Sequence, residues 1–166
     1  KAKSILAKKG INVKKIESKN YKNFYRSYFI NKKLNIPFVS AKIALSNDFL
    51  SINSKKKWIT NESSRKIVHF LRSRYDCILS TSKTINLDNS LLNCRIDGLN
   101  KFKPDLFIID LNLKLKKNLL LNKMIQKRKT YIITNKSNLR KVNIYKKNGY
   151  KFIFLNALKD KKDFIL

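Results

Sequence analysis

Three short, unbroken apolar runs constrain this chain more than any other feature. Leu106 to Ile109, Tyr131 to Thr134 and Phe152 to Leu155 are each four residues long and rich in β-branched and aromatic side chains. That is too short for a buried helix, and the absence of polar alternation suits strands buried on both faces of a parallel sheet. Cys77 to Leu79 is a fourth, shorter run, which enters a hydroxyl-rich turn of Ser80, Thr81, Ser82, Lys83 and Thr84. Between the last two runs, Ser137 to Asn148 predicts a helix, with Gly149 as its C-terminal cap. Strands alternating with helices predict an α/β sandwich on a mostly parallel sheet. Ligands of such sheets gather at the carboxyl ends of strands, where Ser46, Thr84 and Asp110 fall.

The N-terminal part is less regular. Ala2 to Lys9 predicts a short helix stopped by Gly10, Ile11 to Ile16 alternates like an edge strand, and Glu17 to Asn35 reads as a linker. Phe38 to Ser46 alternates cleanly: Val39, Ala41, Ile43 and Leu45 point one way, and Ser40, Lys42, Ala44 and Ser46 the other. The second side is a solvated face on pattern alone, or a ligand wall. Thr60 or Asn61 then caps a helix with Glu62 in its first turn, an apolar stripe of Ser64, Ile67, Val68, Leu71 and Tyr75, and Arg72 and Arg74 near its end. His69 reads as a half-exposed helix residue with no chemistry.

Several functions are set aside by what is missing. Cys77, Cys94 and a single histidine make neither a disulfide scaffold nor the His-x-Glu with Pro-Cys-x-x-Cys of a zinc base deaminase, so no metal is expected. Gly10, Gly98 and Gly149 are too dispersed for a G-x-G-x-x-G turn or a P-loop. No apolar run approaches the ~20 residues of a membrane span, and the first residues lack a signal-peptide core, which makes the cytoplasm the default expectation. The net charge of +29 invites a nucleic-acid reading, but the lysines are scattered through every segment of a chain rich in Asn, Ile and Lys. Compositional drift explains this better than a binding face, and the residual positive field favours anionic ligands.

The order of certain blocks is informative. Pro37-Phe38-Val39-Ser40-Ala41-Lys42-Ile43-Ala44-Leu45-Ser46-Asn47-Asp48 is followed by Lys57-Trp58-Ile59-Thr60-Asn61-Glu62, then Ser64-Arg65-Lys66-Ile67-Val68-His69-Phe70-Leu71-Arg72. Asp76-Cys77-Ile78-Leu79 with Thr84, then Asp88, Leu92, Cys94 and Arg95, and finally Lys103-Pro104 with Ile108-Ile109-Asp110 complete the set. Together these blocks resemble the reductase domain of the bifunctional deaminase/reductases of riboflavin biosynthesis. Lys3 to Ile16 resembles the end of the preceding deaminase domain, and Asn23-Phe24 to Phe29 the joining segment.

The resemblance implies a dihydrofolate-reductase-like α/β fold: a mixed, mainly parallel sheet flanked by helices, incomplete at the C-terminus. It implies residues 1–17 as the end of a deaminase domain, 18–36 as a linker and 37–166 as the first part of the reductase. The implied reaction is reduction of 5-amino-6-(5-phosphoribosylamino)uracil to its ribitylamino product by NADPH. Zinc would belong only to the deaminase domain, which is not in this chain. Ala44, Trp58, Thr84 and Asp88 match cofactor-contacting positions. Lys42, Arg72, Leu92 and Arg95 match substrate-side positions, where two arginines suit a phosphate. Trp58, Thr84, Asp88 and Ala44 are therefore expected to border one cleft, with Arg72 and Arg95 on its substrate side. No proton donor is identified, and homo-oligomerisation stays open. The alternatives are a stand-alone diaminopyrimidine-type reductase and, in another class, a basic nucleic-acid-binding domain.

The chain departs from the family pattern at Phe49, where a glycine is expected, at Lys56 in place of a substrate-facing serine, at Asn89 and Ser90, and at Leu111. Ser54 is the nearby hydroxyl that would replace the serine missing at Lys56. The Glu-Gly-Gly segment that closes the family's cofactor site does not occur, and Lys161 to Leu166 resembles the start of the helix leading to it. On this reading the 166-residue chain alone binds NADPH poorly, lacks turnover and aggregates.

Overall fold

The computed structural model describes residues 2–14, 16, 19–51, 58–101 and 103–156. The chain forms two compact units, Lys1–Ala44 and Leu45–Leu166. The helix predicted from Lys161 onward, and Ser54, Lys56 and Lys57, lie outside the described residues.

In the first unit, helix α1 (Ala2–Lys8) gives way to Gly10 at φ 74°, as the sequence predicts. The segment expected to be a linker instead carries helices α2 (Lys19–Phe24) and α3 (Arg26–Leu34). α3 is closed by Asn35 at φ 54°, whose N–H donates to Asn31 O at 2.9 Å. Edge-on contacts link Phe24, Tyr25, Tyr28 and Phe29. Neither the edge strand expected over residues 11–16 nor the strand expected over 38–46 joins a sheet among the described residues. Alternation makes a segment competent for pairing, but a strand exists only where a partner ladder meets it. Val39 and Ile43, on the apolar side of that alternation, are 78 % and 71 % exposed.

The second unit opens with a turn in which Ser46 Oγ donates to Asp48 Oδ1 at 2.5 Å and accepts from the Leu50 N–H. Phe49 sits there at φ 61°, the left-handed region that a glycine adopts without strain. The residue that departs from the family's glycine thus stands in a conformation that glycine favours, with a bulky side chain on it.

Helix α4 (Glu62–Arg74) starts as predicted. Asn61 Oδ1 accepts from Ser64 N at 2.8 Å, and Lys66 pairs with Glu62 one turn back at 3.0 Å. Its stripe is not core, however: Ile67 and Leu71 stay exposed, and Ser64, Val68 and Tyr75 are only half-buried. Strand β1 (Cys77–Thr81) runs into helix α5 (Ser82–Asp88), capped by Thr81 Oγ1 and closed by Asn89 at φ 45°. The hydroxyl-rich turn is therefore the strand end, the cap and the first helical turn. β2 (Asp105–Ile109), β3 (Thr130–Asn135) and β4 (Lys151–Leu155) follow, with helix α6 (Asn143–Lys147) before the last.

All four strands are parallel in the order β1-β2-β3-β4. Stepping across a parallel sheet in chain order with right-handed crossovers puts every connection on one face. Burial agrees. Ile78, Leu106, Ile108, Ile132 and Phe152 share a face by register and pack with Ile85, Leu115, Leu121, Met124, Ile125, Tyr145 and Tyr150. The opposite face carries Leu79, Phe107, Ile109, Tyr131, Ile133 and Ile153. It is only partly covered, with Leu79 at 59 % exposure and the Phe107 and Tyr131 rings stacked at 4.8 Å. The expectation of burial on both faces thus holds for one.

Gly149 ends α6 at φ 93°, and a Cβ there would lie 2.7 Å from Ile125 Cγ2. Gly149→Ala is expected to cost about 2 kcal/mol, from left-handed strain plus displacement of a core isoleucine. Urea denaturation reads this directly, and a loss below about 0.5 kcal/mol would show that the turn relaxes.

Candidate substrate site

The segment after α5 turns tightly and brings two distant arginines together. Leu92 adopts φ 48°, and its carbonyl accepts from Arg128 Nη1 at 2.8 Å, while the Leu91 carbonyl accepts from Arg128 Nη2. Arg128 is only 6 % exposed, and burial with Arg72 nearby brings its pKa down to about 10, so it remains a cation at neutral pH. It fixes the loop from beneath.

On the other side of that loop lies α4. The Asn93 carbonyl meets His69 Nδ1 at 3.0 Å and accepts from Arg72 Nη1 at 3.2 Å. Arg95 Nη2 lies 3.2 Å from His69 Nε2. A carbonyl only accepts and a guanidinium only donates, which sets the imidazole: Nδ1 carries the proton, and Nε2 offers its lone pair to Arg95. Burial, then the charges of Arg72 and Arg95, push the His69 pKa below its ordinary value. Burial and Arg95 likewise lower that of Arg72. Among the described residues no carboxylate pairs with Arg72 or Arg95. Two converging cations that no described carboxylate neutralises can take an anion through charge-assisted hydrogen bonds.

The structure therefore brings together Arg72, Leu92 and Arg95 of the expected substrate group, and adds His69, Asn93 and Arg128, which the sequence does not single out. The expected cofactor group is spread over other elements. Trp58 stands ahead of α4, 57 % exposed, with the Arg65 guanidinium 4.8 Å from its ring centre and Arg65 Nη1 donating to Thr60 O at 2.6 Å. Thr84 and Asp88 open and close α5, both exposed, with Thr84 Oγ1 3.1 Å from Thr81 Oγ1. Lys42 and Ala44 belong to the first unit, exposed and half-buried respectively. The described residues hold no group of three or more His, Cys, Asp or Glu side chains suited to a metal. None of their helices is long and apolar enough to cross a membrane.

Comparison with known proteins now decides the family. The model of the RibD C-terminal domain matches residues 37–160. The chain belongs to this family. Among its relatives is the riboflavin biosynthesis protein RibD of Buchnera aphidicola subsp. Baizongia pistaciae, 38 % identical over 72 residues, covering 42 % of this chain and 19 % of that protein. The 5-amino-6-(5-phosphoribosylamino)uracil reductase of Buchnera aphidicola subsp. Acyrthosiphon pisum is 42 % identical over 55 residues, 33 % of this chain and 27 % of that protein. Among solved structures, Acinetobacter baumannii RibD superposes with a TM-score of 0.69 at 21 % identity, over 94 % of this chain and 44 % of its own. The Thermotoga maritima deaminase/reductase gives 0.66 at 18 %, over 92 % and 48 %. The RibD domain fold is thereby shown, and the chain spans less than half the length of each of these relatives.

Proposed function

We propose that this chain carries the reductase part of riboflavin biosynthesis, taking 5-amino-6-(5-phosphoribosylamino)uracil and NADPH. The observation that carries the reading is the meeting of Arg72 and Arg95, from two separate sequence blocks, around the Asn93 carbonyl and His69. Their charge, met by no carboxylate among the described residues, suits the substrate's phosphate, and Leu92 beside them offers an apolar contact. Lys42 is assigned to the ribose oxygens.

NADPH, when bound, supplies the hydride. The exposed ring of Trp58 and the exposed hydroxyl and carboxylate of Thr84 and Asp88 fit such a group, one by stacking and two by polar contact, and Ala44 is assigned to the same group by its block alone. The work asked of the protein is to hold the phosphate, orient the sugar and exclude water. Residues 1–17 are assigned to the end of a deaminase domain and 18–36 to a joining segment, here helical. The family relationship favours this reading over nucleic-acid binding, as does charge that is scattered along the chain.

The test uses a version carrying the family's Glu-Gly-Gly segment. NADPH oxidation on adding the pyrimidine substrate is expected, and Arg72→Ala or Arg95→Ala should raise the substrate KM at least about tenfold, a loss of about 1.4 kcal/mol. NADPH affinity should stay within about twofold. Equal losses for both ligands would contradict the assignment.

A further inference from the structure

The sequence contains one histidine, and the structure places it between the two site arginines. We propose that His69 is a proton-coupled positioning residue: neutral while it holds Arg95 in the free chain, and protonated when a phosphate-type dianion occupies the Arg72–Arg95 site. The inference deepens the substrate reading and rests on that site being an anion site.

The geometry carries it. In the free chain Nε2 accepts from Arg95, which requires a lone pair there, while Nδ1–H is anchored on the Asn93 carbonyl that also receives Arg72. Arg95 is otherwise exposed, so this hydrogen bond is what orients its guanidinium. The charged groups facing His69 are Arg72 on its own helix and Arg95 from the loop. Arg128 lies behind Arg72, and Cys94, buried next to Asn93, acts on Arg72. All but the thiol are cations, so a second proton on His69 is disfavoured while the site is empty, in keeping with its lowered pKa.

A dianion reverses that balance. It draws the Arg95 N–H away from Nε2, and its charge offsets the two arginines. Nε2 then takes one proton from solvent and becomes a second donor to the anion, with Nδ1–H still on Asn93. No bond other than this N–H forms, and one proton is taken up per anion bound. The sign follows from linkage. Binding raises the His69 pKa, so affinity is constant above the bound-state pKa, rises as pH falls through it, and levels off below the free-state pKa.

The single histidine makes the test direct. Sulfate is the probe, because it keeps two charges throughout and its own titration does not intrude. In chloride, the imidazole followed by NMR is expected to be the Nδ1–H tautomer with a pKa below its ordinary value. Saturating sulfate is expected to raise that pKa by at least about one unit, equivalent to about tenfold tighter sulfate binding at low than at high pH. His69→Gln, which keeps an acceptor for Arg95, should still bind sulfate but lose the pH dependence. Arg95→Ala should lose both. Sulfate binding that leaves the imidazole pKa unmoved overturns the proposal, as does an Nε2–H tautomer in the free chain or an absence of sulfate binding. If His69→Gln fails to fold, the wild-type titration alone decides. Neither NADPH nor turnover enters, so sulfate coupled to His69 in this chain, with no NADPH oxidation by the version carrying the Glu-Gly-Gly segment, sinks the reductase reading and leaves this one standing.

Discussion

Replacing Arg128 with methionine is expected to lower the unfolding free energy by about 2 kcal/mol and to weaken anion binding at Arg72 and Arg95 at least about tenfold. The methionine fills the space of the arginine stem but cannot donate. The Leu91 and Leu92 carbonyls, both turned toward the guanidinium, are then left without partners. A fully buried acceptor left unmet costs about 1–3 kcal/mol and these two are half-buried, so the low end applies to each, and relief of the buried charge returns part of the sum. Leu92 is then free to leave φ 48°, a conformation costing a leucine about 1–2 kcal/mol. Relaxation of that residue moves Asn93 and Arg95, the partners of α4. Lysine is not expected to rescue, because one ammonium cannot match two carbonyls held by two nitrogens of one fork. Urea denaturation and sulfate titration read the two effects, and a stability loss below about 1 kcal/mol would show that the loop holds its shape unaided.

The contrast between Arg128 and Arg72 shows what the sequence can and cannot convey. Arg72 stands out because it ends a recognisable block on a strongly periodic helix. Arg128 is one of 39 basic residues, and nothing local marks it as buried. Its setting between Met124–Ile125 and Thr130, all buried, is the only signal that could point to it. His69 escapes a sequence reading for a similar reason. Its partners Asn93 and Arg95 lie more than twenty residues away, and helical periodicity says nothing about such contacts.

The strands β2, β3 and β4 are legible because a continuous apolar run has few other uses. The alternating segment over residues 38–46 is not, because its partner is specified by non-local contacts and not by its own pattern. Helix α3 is hidden because it buries no side chain and so carries no stripe. Likewise α4 has the right period, but its large apolar residues remain exposed, so the stripe predicts the helix and not its cover.

Asp110 gives the other large expected effect. Its carboxylate, 3 % exposed, accepts from Ser82 Oγ at 2.9 Å, Lys114 N at 2.8 Å and Leu115 N at 2.8 Å. Three elements thus meet on two oxygens: the end of β2, the first turn of α5, and the turn that sends Leu115 into the core. Leu113 in that turn stands at φ 51°, and the Leu115 carbonyl accepts from the Tyr145 hydroxyl at 2.7 Å, so the turn is bound to α6 as well. Asp110→Ala removes three charge-assisted hydrogen bonds and leaves their donors facing a void. A loss of about 4 kcal/mol is expected, near the upper end for a single substitution. Asp110→Asn separates charge from shape. Its amide oxygen can keep the Ser82 and Lys114 donors, while its NH2 faces the Leu115 N–H, donor against donor, so about half the loss is expected. On the proposed reading Thr84 and Asp88 of α5 meet NADPH, so the alanine variant should also weaken NADPH binding in the version carrying the Glu-Gly-Gly segment, with the asparagine variant between it and the wild type. Equal stability of all three proteins in urea would mean that the turn after β2 is held by its apolar contacts, and Asp110 would then be a bystander to the fold.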